Sequence, residues 1–285
     1  MKRIRFRVAL RVPVMDVAER TGWLVQGRAG WGECSPLPSW SVAEHRAAGA
    51  AAAEAADFPF PASEVAHVDV NAMVPRIEPD DAARLAVESR CRTIKVKVGD
   101  DRGVDRVAAV RTACGASVRI RVDANAAWDL DTAVRELTRL AAYDIELAED
   151  PVRRLEDLTM LRRRAPCPVA AETSIRAVDD ARRLRELDAA DAVVLKPQRI
   201  GGIRAALDAA DAAGVFPIAS SALETSVGLA AVVALAAALG DTPFAHGCGT
   251  ALLLGDDVTD APLLPEDGWL TPRRVAPSPA VVAHA

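Results

Sequence analysis

A long apolar run, an excess of basic residues and a CxxC pair are all missing from this 285-residue chain. Without about 20 consecutive apolar residues, no membrane span is expected. The charged start MKRIRFRVALRV also lacks the apolar core of a signal peptide, so we expect a cytoplasmic protein. A formal net charge of -5 argues against a nucleic-acid partner. Five scattered cysteines argue against a disulfide framework or a zinc site.

Lysine is also scarce: among 35 basic residues, only Lys2, Lys95, Lys97 and Lys196 are lysine. Arginine stays protonated at physiological pH, whereas a lysine amine can lose its proton when its surroundings lower its pKa. A chain that otherwise uses arginine for positive charge therefore points to its lysines as sites where a proton is taken up.

Eight short runs rich in Val, Ile and Ala follow residue 65, and helical stretches with one charged face separate them. Polar residues near the ends of these runs recur at positions 95, 123, 149, 172, 196, 220 and 246. This alternation predicts an α/β fold with a parallel sheet, and eight units predict a (β/α)8-type TIM barrel. The stretch at 226–239 is apolar on all sides, which predicts a helix between the barrel and a second body, either the N-terminal domain or another subunit.

The segments on either side of the barrel are predicted to form a capping domain. Residues 1–64 read as an α+β unit, with strands at 3–12 and 23–33, a loop over 11–22 and a helix at 42–57. The barrel is predicted to span 65–254. The proline-rich segment 255–285 is expected to pack back on the N-terminal unit and complete the cap.

Polar residues end the second to fifth predicted barrel strands. Lys95 and Lys97 are two residues apart, so both lie on one face of their strand. The next three strands end in Asp123, Glu149 and Glu172. Neighbouring buried carboxylates repel one another unless a cation neutralises them, and oxygen ligands without His or Cys favour Mg2+, with Mn2+ as a substitute.

The sixth strand brings Lys196 to the barrel mouth, roughly opposite Lys97. A small-molecule carboxylate substrate on the metal would have its α-carbon between these two amines, and loss of the α-proton would give an enediolate. Burial and the neighbouring ammonium group of Lys95 should lower the pKa of Lys97, which makes Lys97 the candidate base.

Smaller polar groups near other strand ends are candidates for binding the substrate. They are Asn125, Ser220, Ser221, Gly247 and Gly249. The two glycines would let backbone N–H groups approach an anion closely. His246 is open to two interpretations, a base or a hydrogen-bonded structural residue.

These motifs resemble the enolase superfamily, specifically its muconate-lactonizing subgroup. The resemblance rests on K-V-K at 95–97 and on Asp123, Glu149, Glu172 and Lys196. It implies a barrel covered by a cap from both termini. Within the subgroup, the segments WGECSPLPSW and SSALETSVGLAAVVALAAAL look like those of the dehydratases of menaquinone biosynthesis. These enzymes convert 2-succinyl-6-hydroxy-2,4-cyclohexadiene-1-carboxylate to 2-succinylbenzoate.

The resemblance also implies a role for each lysine. Lys97 would take the α-proton and return a proton to the departing hydroxyl, Lys196 would stabilise the enolate, and Lys95 would tune Lys97. The chain departs from the family pattern on strand five, where Glu172 and Thr173 replace an Asp-Glu pair.

Two other functions stay open. An N-acylamino acid racemase or dipeptide epimerase also needs two lysines on either side of an α-carbon. The altered strand-five motif leaves room for a catalytically inactive barrel that acts as a binding protein. The residues leave the oligomeric state open.

Overall fold

The computed structural model describes residues 2–283; positions 1, 284 and 285, at the ends of the predicted first and last segments, lie outside the described residues. The strands are β1 (Lys2–Val14), β2 (Val17–Gln26), β3 (Trp31–Cys34), β4 (Val68–Asp69), β5 (Asn71–Val74), β6 (Thr93–Lys97), β7 (Arg119–Asp123), β8 (Ile145–Glu149), β9 (Val169–Ala171), β10 (Ala192–Leu195), β11 (Phe216–Ala219) and β12 (Trp269–Leu270). The α-helices are α1 (Val42–Asp57), α2 (Pro79–Glu88), α3 (Gly103–Cys114), α4 (Leu130–Leu140), α5 (Leu155–Arg162), α6 (Val178–Glu186), α7 (Pro197–Ile200), α8 (Ile203–Ala213), α9 (Ser226–Ala238) and α10 (Pro279–Ala283).

The N-terminal unit is an antiparallel sheet in the order β1-β2-β3, with α1 packed on it. The loop predicted over 11–22 is wrong, because β1 continues to Val14 and β2 begins at Val17. Met15 and Asp16 between them have φ values of 48° and 64°, the left-handed conformation that a tight hairpin turn requires. Residues 11–22 are therefore the tip of a hairpin.

The strand predicted at 23–33 is also wrong in extent, because β2 ends at Gln26 and β3 begins at Trp31. The Gly27 N–H donates to the Gly30 carbonyl at 2.9 Å and closes the turn between the two strands. The predicted helix at 42–57 is confirmed as α1. Its start is held by a capping box, in which Ser41 and Glu44 each accept the backbone N–H of the other.

Seven parallel strands form the larger sheet, in the order β11-β10-β9-β8-β7-β6-β5. The predicted alternation of strands and helices is confirmed, but the eighth strand is not. In the described part of the chain, His246 makes one parallel bridge to Val70, and Gly247 makes one to Ser220. Pro243 lies just ahead of these bridges, and a proline has no N–H to donate to a neighbouring strand.

A small apolar cluster lies beneath the carboxyl ends of the parallel strands. Leu147, Ala170, Val194 and Ile218 belong to it and are buried. Each of them precedes a polar residue at a strand end by two positions, so it lies on the same face of its strand. The interior of the curled sheet is therefore apolar below and polar at its mouth.

Helix α9 is buried almost throughout and packs on both β3 and β11. The N-terminal unit is thus one body that covers its apolar surface, as the sequence predicted. Neither α9 nor any other helix within residues 2–283 combines the length and the apolar character needed to cross a membrane.

The C-terminal segment contacts both other units. Strand β12 pairs antiparallel with β4, ahead of the parallel sheet. Arg274 donates to the carbonyls of Ala55 at 2.8 Å and Phe58 at 2.5 Å, at the end of α1. The domain limits 1–64, 65–254 and 255–285 themselves remain predictions.

Gly32 on β3 packs against α1, and a Cβ there would overlap the Ala52 carbonyl. Gly32→Ala should lower the free energy of unfolding by about 1–3 kcal/mol, because the helix must move away. Gly49→Ala is the control, since a Cβ at this exposed position of α1 meets nothing within 4 Å. Urea unfolding should show Gly49→Ala as stable as the parent or more so. Equal losses in both variants would contradict this account of the packing.

Candidate active site

Polar side chains stand at the carboxyl ends of five neighbouring parallel strands. Lys97, Asp123 and Glu149 are the last residues of β6, β7 and β8 and are paired in register. Glu172 and Lys196 directly follow β9 and β10. Because parallel strands end at one edge of a sheet, residues far apart in the sequence meet at this edge.

Three carboxylates form the centre of the site. Asp123, Glu149 and Glu172 are all buried, and each has a carboxylate oxygen within 4.8 Å of the others. The predicted metal ligands are therefore brought together by the fold. The longer Glu172 side chain, in place of the aspartate of the family pattern, still reaches the cluster.

Lysines from β6 pair with two of these carboxylates. Lys95 Nζ lies 2.9 Å from Glu149 Oε2 and 3.6 Å from Asp123 Oδ2. Lys97 Nζ lies 2.6 Å from the same Asp123 oxygen. Both amines point to the interior of the site, as the two-residue spacing predicts.

Two further cations pair with the third carboxylate. Lys196 Nζ lies 2.7 Å from Glu172 Oε1, and Arg199 Nη1 lies 3.2 Å from the same oxygen. These side chains neutralise the carboxylates on their own, so charge repulsion does not by itself require a metal ion. The case for a metal rests on the three converging oxygen donors.

The two lysines of β6 differ in their proton affinity. Burial lowers the pKa of Lys97, and the nearby charges of Lys95 and Lys196 lower it further, against the attraction of Asp123. For Lys95, burial acts in the same direction, but Glu149 and Asp123 outweigh it and raise the pKa above its usual value. Lys97 is thus the better candidate for a base, and Lys95 stays charged.

Asp150, the residue after β8, positions the end of β9. Its carboxylate accepts the backbone N–H groups of Glu172 at 2.7 Å and Thr173 at 2.8 Å. Burial raises the pKa of Asp150 to about 7, and the charges of Glu172 and Asp123 add to the effect. Sequence reasoning gave Asp150 no role, because a second acid in the AEDP step carries no signal of its own.

A small cavity lies beside the ion pairs, and Lys95, Lys97, Lys196, Ser220, Ser221 and Gly247 line it. Sequence reasoning missed its other walls, which are Val14, Met15, Leu37, Asn71, Met73, Ala222, Leu223 and Thr250. Val14 and Met15 were missed because the hairpin tip that carries them was interpreted as a loop. The cavity combines an apolar side from the cap with a polar side from the strand ends.

The predicted substrate-binding residues Asn125 and Gly249 lie outside this lining. The Gly247 N–H is also taken, since it donates to the Ala219 carbonyl at 2.8 Å. Glycine at 247 is needed because a Cβ would come within 2.9 Å of Ser220 Cβ. Its predicted role as an N–H donor to an anion is therefore wrong, and it acts by close packing.

Two parts of the chain each match a known protein family. The Enolase N-terminal domain-like family matches residues 5–56, and the Enolase C-terminal domain-like family matches residues 79–277. The chain belongs to the enolase superfamily. The resemblance drawn from the motifs at the strand ends is thereby confirmed.

Relatives of this enolase-superfamily member share most of its length. The o-succinylbenzoate synthase of Thermobifida fusca is 48% identical over 276 residues, which cover 95% of this chain and 87% of the relative. The o-succinylbenzoate synthase of Mycobacterium tuberculosis is 37% identical over 280 residues, covering 95% and 84%.

Solved structures of the superfamily share the fold. The muconate lactonizing enzyme of Pseudomonas fluorescens superposes with a TM-score of 0.86 at 20% identity, covering 99% of this chain and 97% of that one. The L-Ala-D/L-Glu epimerase of Bacillus subtilis gives 0.83 at 22% identity, covering 97% and 96%. At such identities the likeness establishes the architecture alone.

In this member of the superfamily, Arg199 ties the site to the cap. Its Nε donates to Glu44 Oε1 at 2.6 Å, and its guanidinium lies 5.6 Å from the centre of the Trp40 ring. Although burial opposes it, hydrogen bonds from Ser41 and Arg199 lower the pKa of Glu44 to about 2. The first turn of α1 is thus linked through one arginine to Glu172.

A second link joins β3 to the start of α9. Glu33 accepts the N–H groups of Gly228 at 3.0 Å and Thr225 at 3.2 Å, together with the Thr225 hydroxyl. A carboxylate at a helix N-terminus is favoured by the helix dipole. Arg20 on β2 donates to the Leu223 carbonyl at 3.0 Å. Cap residues therefore hold the segment that forms one wall of the cavity.

His246 is a structural residue. It is buried, and its Nδ1 accepts the Ala219 N–H at 3.0 Å. Burial, with a smaller contribution from Arg121, lowers its pKa to about 3. A histidine that is already hydrogen-bonded to the backbone and this weakly basic does not serve as the base.

Because the unfolded chain protonates His246 near pH 6.5 and the folded protein does so only near pH 3, unfolding takes up a proton between these values. The free energy of unfolding should therefore fall by about 2 kcal/mol from pH 7 to pH 5 through this residue. Urea unfolding of His246→Gln, whose side-chain oxygen can accept the same N–H, should lack this part of the decrease. An identical pH dependence in both proteins would contradict the assignment.

Proposed function

We propose that this protein is a lyase that removes water from 2-succinyl-6-hydroxy-2,4-cyclohexadiene-1-carboxylate to give 2-succinylbenzoate, the reaction of menaquinone biosynthesis that names its 48% identical relative. The observation that carries the proposal is the cavity walled by Lys95, Lys97 and Lys196 beside three converging carboxylates. This arrangement suits proton removal next to a carboxylate.

Asp123, Glu149 and Glu172 fit Mg2+, with Mn2+ as a substitute. All donors are oxygens, they converge within 4.8 Å, and the cluster contains no His or Cys. When bound, the ion would stabilise negative charge on the substrate carboxylate. Asp150, through its two backbone hydrogen bonds, would keep Glu172 in place as a ligand.

Lys97 takes the proton from the carbon that bears the carboxylate, and the freed electron pair forms the new ring double bond. The bond from the neighbouring carbon to the hydroxyl breaks, and Lys97 returns its proton to the leaving oxygen, so that water departs. Lys196 lies on the same cavity and stabilises the developing negative charge. Lys95, held charged by Glu149, keeps the pKa of Lys97 low.

The remaining predicted site residues divide into two groups. Ser220 and Ser221 line the cavity and are proposed to contact the substrate. Asn125 and Gly249 act behind it. The Asn125 N–H donates to Asp123 Oδ1 at 2.9 Å, which orients that carboxylate, and Gly249 packs against the Asn71 carbonyl.

We further propose that the parallel sheet closes into an eight-stranded barrel. The Asn71 N–H on β5 donates to the His246 carbonyl at 2.9 Å, and the Gly247 N–H donates to the Ala219 carbonyl on β11 at 2.8 Å. These bonds reach both edges of the seven-stranded sheet, which supports closure. Residues 1–64 and 255–285 would then form the cap above the barrel mouth.

Lys97→Ala and Lys196→Ala should each lower kcat by on the order of 100-fold to 10,000-fold, the usual contribution of a positioned acid or base. Lys97→Arg should be as inactive as Lys97→Ala, because arginine keeps the charge but does not release a proton. The aromatic ultraviolet band of 2-succinylbenzoate measures turnover. The exposed Lys2→Ala variant is the control and should keep full activity.

A fully active Lys97→Ala protein would refute this mechanism. The racemase alternative also uses Lys97 and Lys196, which line the same cavity. One lysine would remove the α-proton from one face of the carbon, and the other would return a proton to the opposite face. Solvent deuterium entering N-acylamino acids of both hands, without dehydration of the cyclohexadiene, would assign that activity in place of the lyase.

Calorimetric titration should show Mg2+ binding to the wild-type protein, and Glu149→Gln should weaken it by on the order of 10-fold to 1,000-fold, because one of three anionic donors is lost. Glu186→Gln removes an exposed carboxylate on α6 and should leave the affinity unchanged. If the wild-type protein binds no Mg2+, or Glu149→Gln binds it equally well, the metal site is wrong and an inactive binding protein becomes the better account.

A further inference from the structure

Asn71 is a buried polar residue on the cavity wall that the proposed reaction leaves unused. It is 1% exposed. Its Nδ2 donates to the Ala72 carbonyl at 3.2 Å, whereas its Oδ1 has no hydrogen-bond partner. Since a carbonyl only accepts, the amide nitrogen must face Ala72 and the oxygen is left as the free group. A buried acceptor without a donor is uncommon, and this one differs from the unpaired Thr93 hydroxyl in lining the cavity, where a bound molecule can reach it.

Within residues 2–283, no group donates a hydrogen bond to this oxygen. Asn71 and Met73 lie on one face of β5, and both line the cavity with the three lysines. The ammonium groups of Lys95, Lys97 and Lys196 each form an ion pair with a carboxylate and not with this oxygen. The hydroxyls of Ser221 and Thr250, also on the wall, are 2.5 Å apart and bonded to each other. Asn71 Oδ1 is therefore a free acceptor for a donor on a molecule bound in the cavity.

We propose that Asn71 Oδ1 accepts the hydrogen bond of the substrate hydroxyl that leaves as water. This inference rests on the proposed function. At neutral pH the two carboxylates and the ketone of the substrate only accept hydrogen bonds, so the ring hydroxyl is its single donor. With its hydrogen held by Asn71, the hydroxyl oxygen keeps its lone pairs free for the proton that Lys97 returns. Asn71 thereby orients the leaving group.

The proposal separates substrate from product. Loss of water leaves 2-succinylbenzoate with no donor, so Asn71 gains a partner with the substrate and loses it with the product. A residue that forms a hydrogen bond with a substrate hydroxyl discriminates strongly against molecules that lack this hydroxyl. Asn71 would therefore favour substrate binding and product release.

The test compares Asn71→Leu, which keeps the volume but removes the acceptor, with the control Thr93→Val. Thr93 is the register partner of Asn71 on β6, is equally buried, and also has an unpaired hydroxyl, but it does not line the cavity. Asn71→Leu should lower kcat/KM for the cyclohexadiene by on the order of 10-fold to 100-fold and leave the product inhibition constant unchanged. Thr93→Val should match the wild type in both.

Other outcomes overturn the proposal. A fully active Asn71→Leu protein, equal losses of substrate and product affinity, or the same defect in Thr93→Val would each show that Asn71 only fills space. If Asn71→Leu does not fold, Asn71→Ala takes its place with the same expectations. A wild-type protein that does not dehydrate the cyclohexadiene at all would instead reject the proposed function, and this inference with it.

Discussion

The burial of opposite charges at one edge of a parallel sheet is the constraint on which this structure depends. Asp123, Glu149 and Glu172 are removed from water, and each is stable as an anion only because a cation lies against it. The register of β6, β7 and β8 places Lys97, Asp123 and Glu149 at the same level, and Glu172 follows directly after β9. The apolar cluster beneath them excludes water from below, so the charges interact strongly with one another.

The cap is bonded to this charged layer and is part of the site. Arg199 bonds to Glu172 on one side and to Glu44 of α1 on the other, so the cap contributes to the electrostatic balance of the site. Glu33 holds the first residues of α9, and Arg20 holds the Leu223 carbonyl next to the cavity wall. The apolar wall and the polar wall of the cavity are therefore fixed by one hydrogen-bonded framework.

Much of the fold and of the site could be predicted from local patterns. The alternation of apolar runs and amphipathic stretches predicted the strands and helices of the parallel sheet, and the scarcity of lysine singled out Lys95, Lys97 and Lys196. The N-terminal hairpin was missed because its two-residue turn uses Met15 and Asp16 rather than the glycine that usually marks such turns. The eighth strand was overestimated because apolar composition does not reveal that only single bridges form at His246 and Gly247.

Residues that act through one specific contact gave no signal in the sequence. Arg199 is one arginine among many, and Asp150 follows another acid. Asn71 lies in a largely apolar run and belongs to no recognisable motif. The sequence by itself determined which chemical groups are present and which strand ends carry them, because strand periodicity and residue type are local properties. Only the tertiary structure decided which lysine pairs with which carboxylate, which backbone groups are already bonded and which buried oxygen lacks a donor, because these depend on distances between residues far apart in the chain.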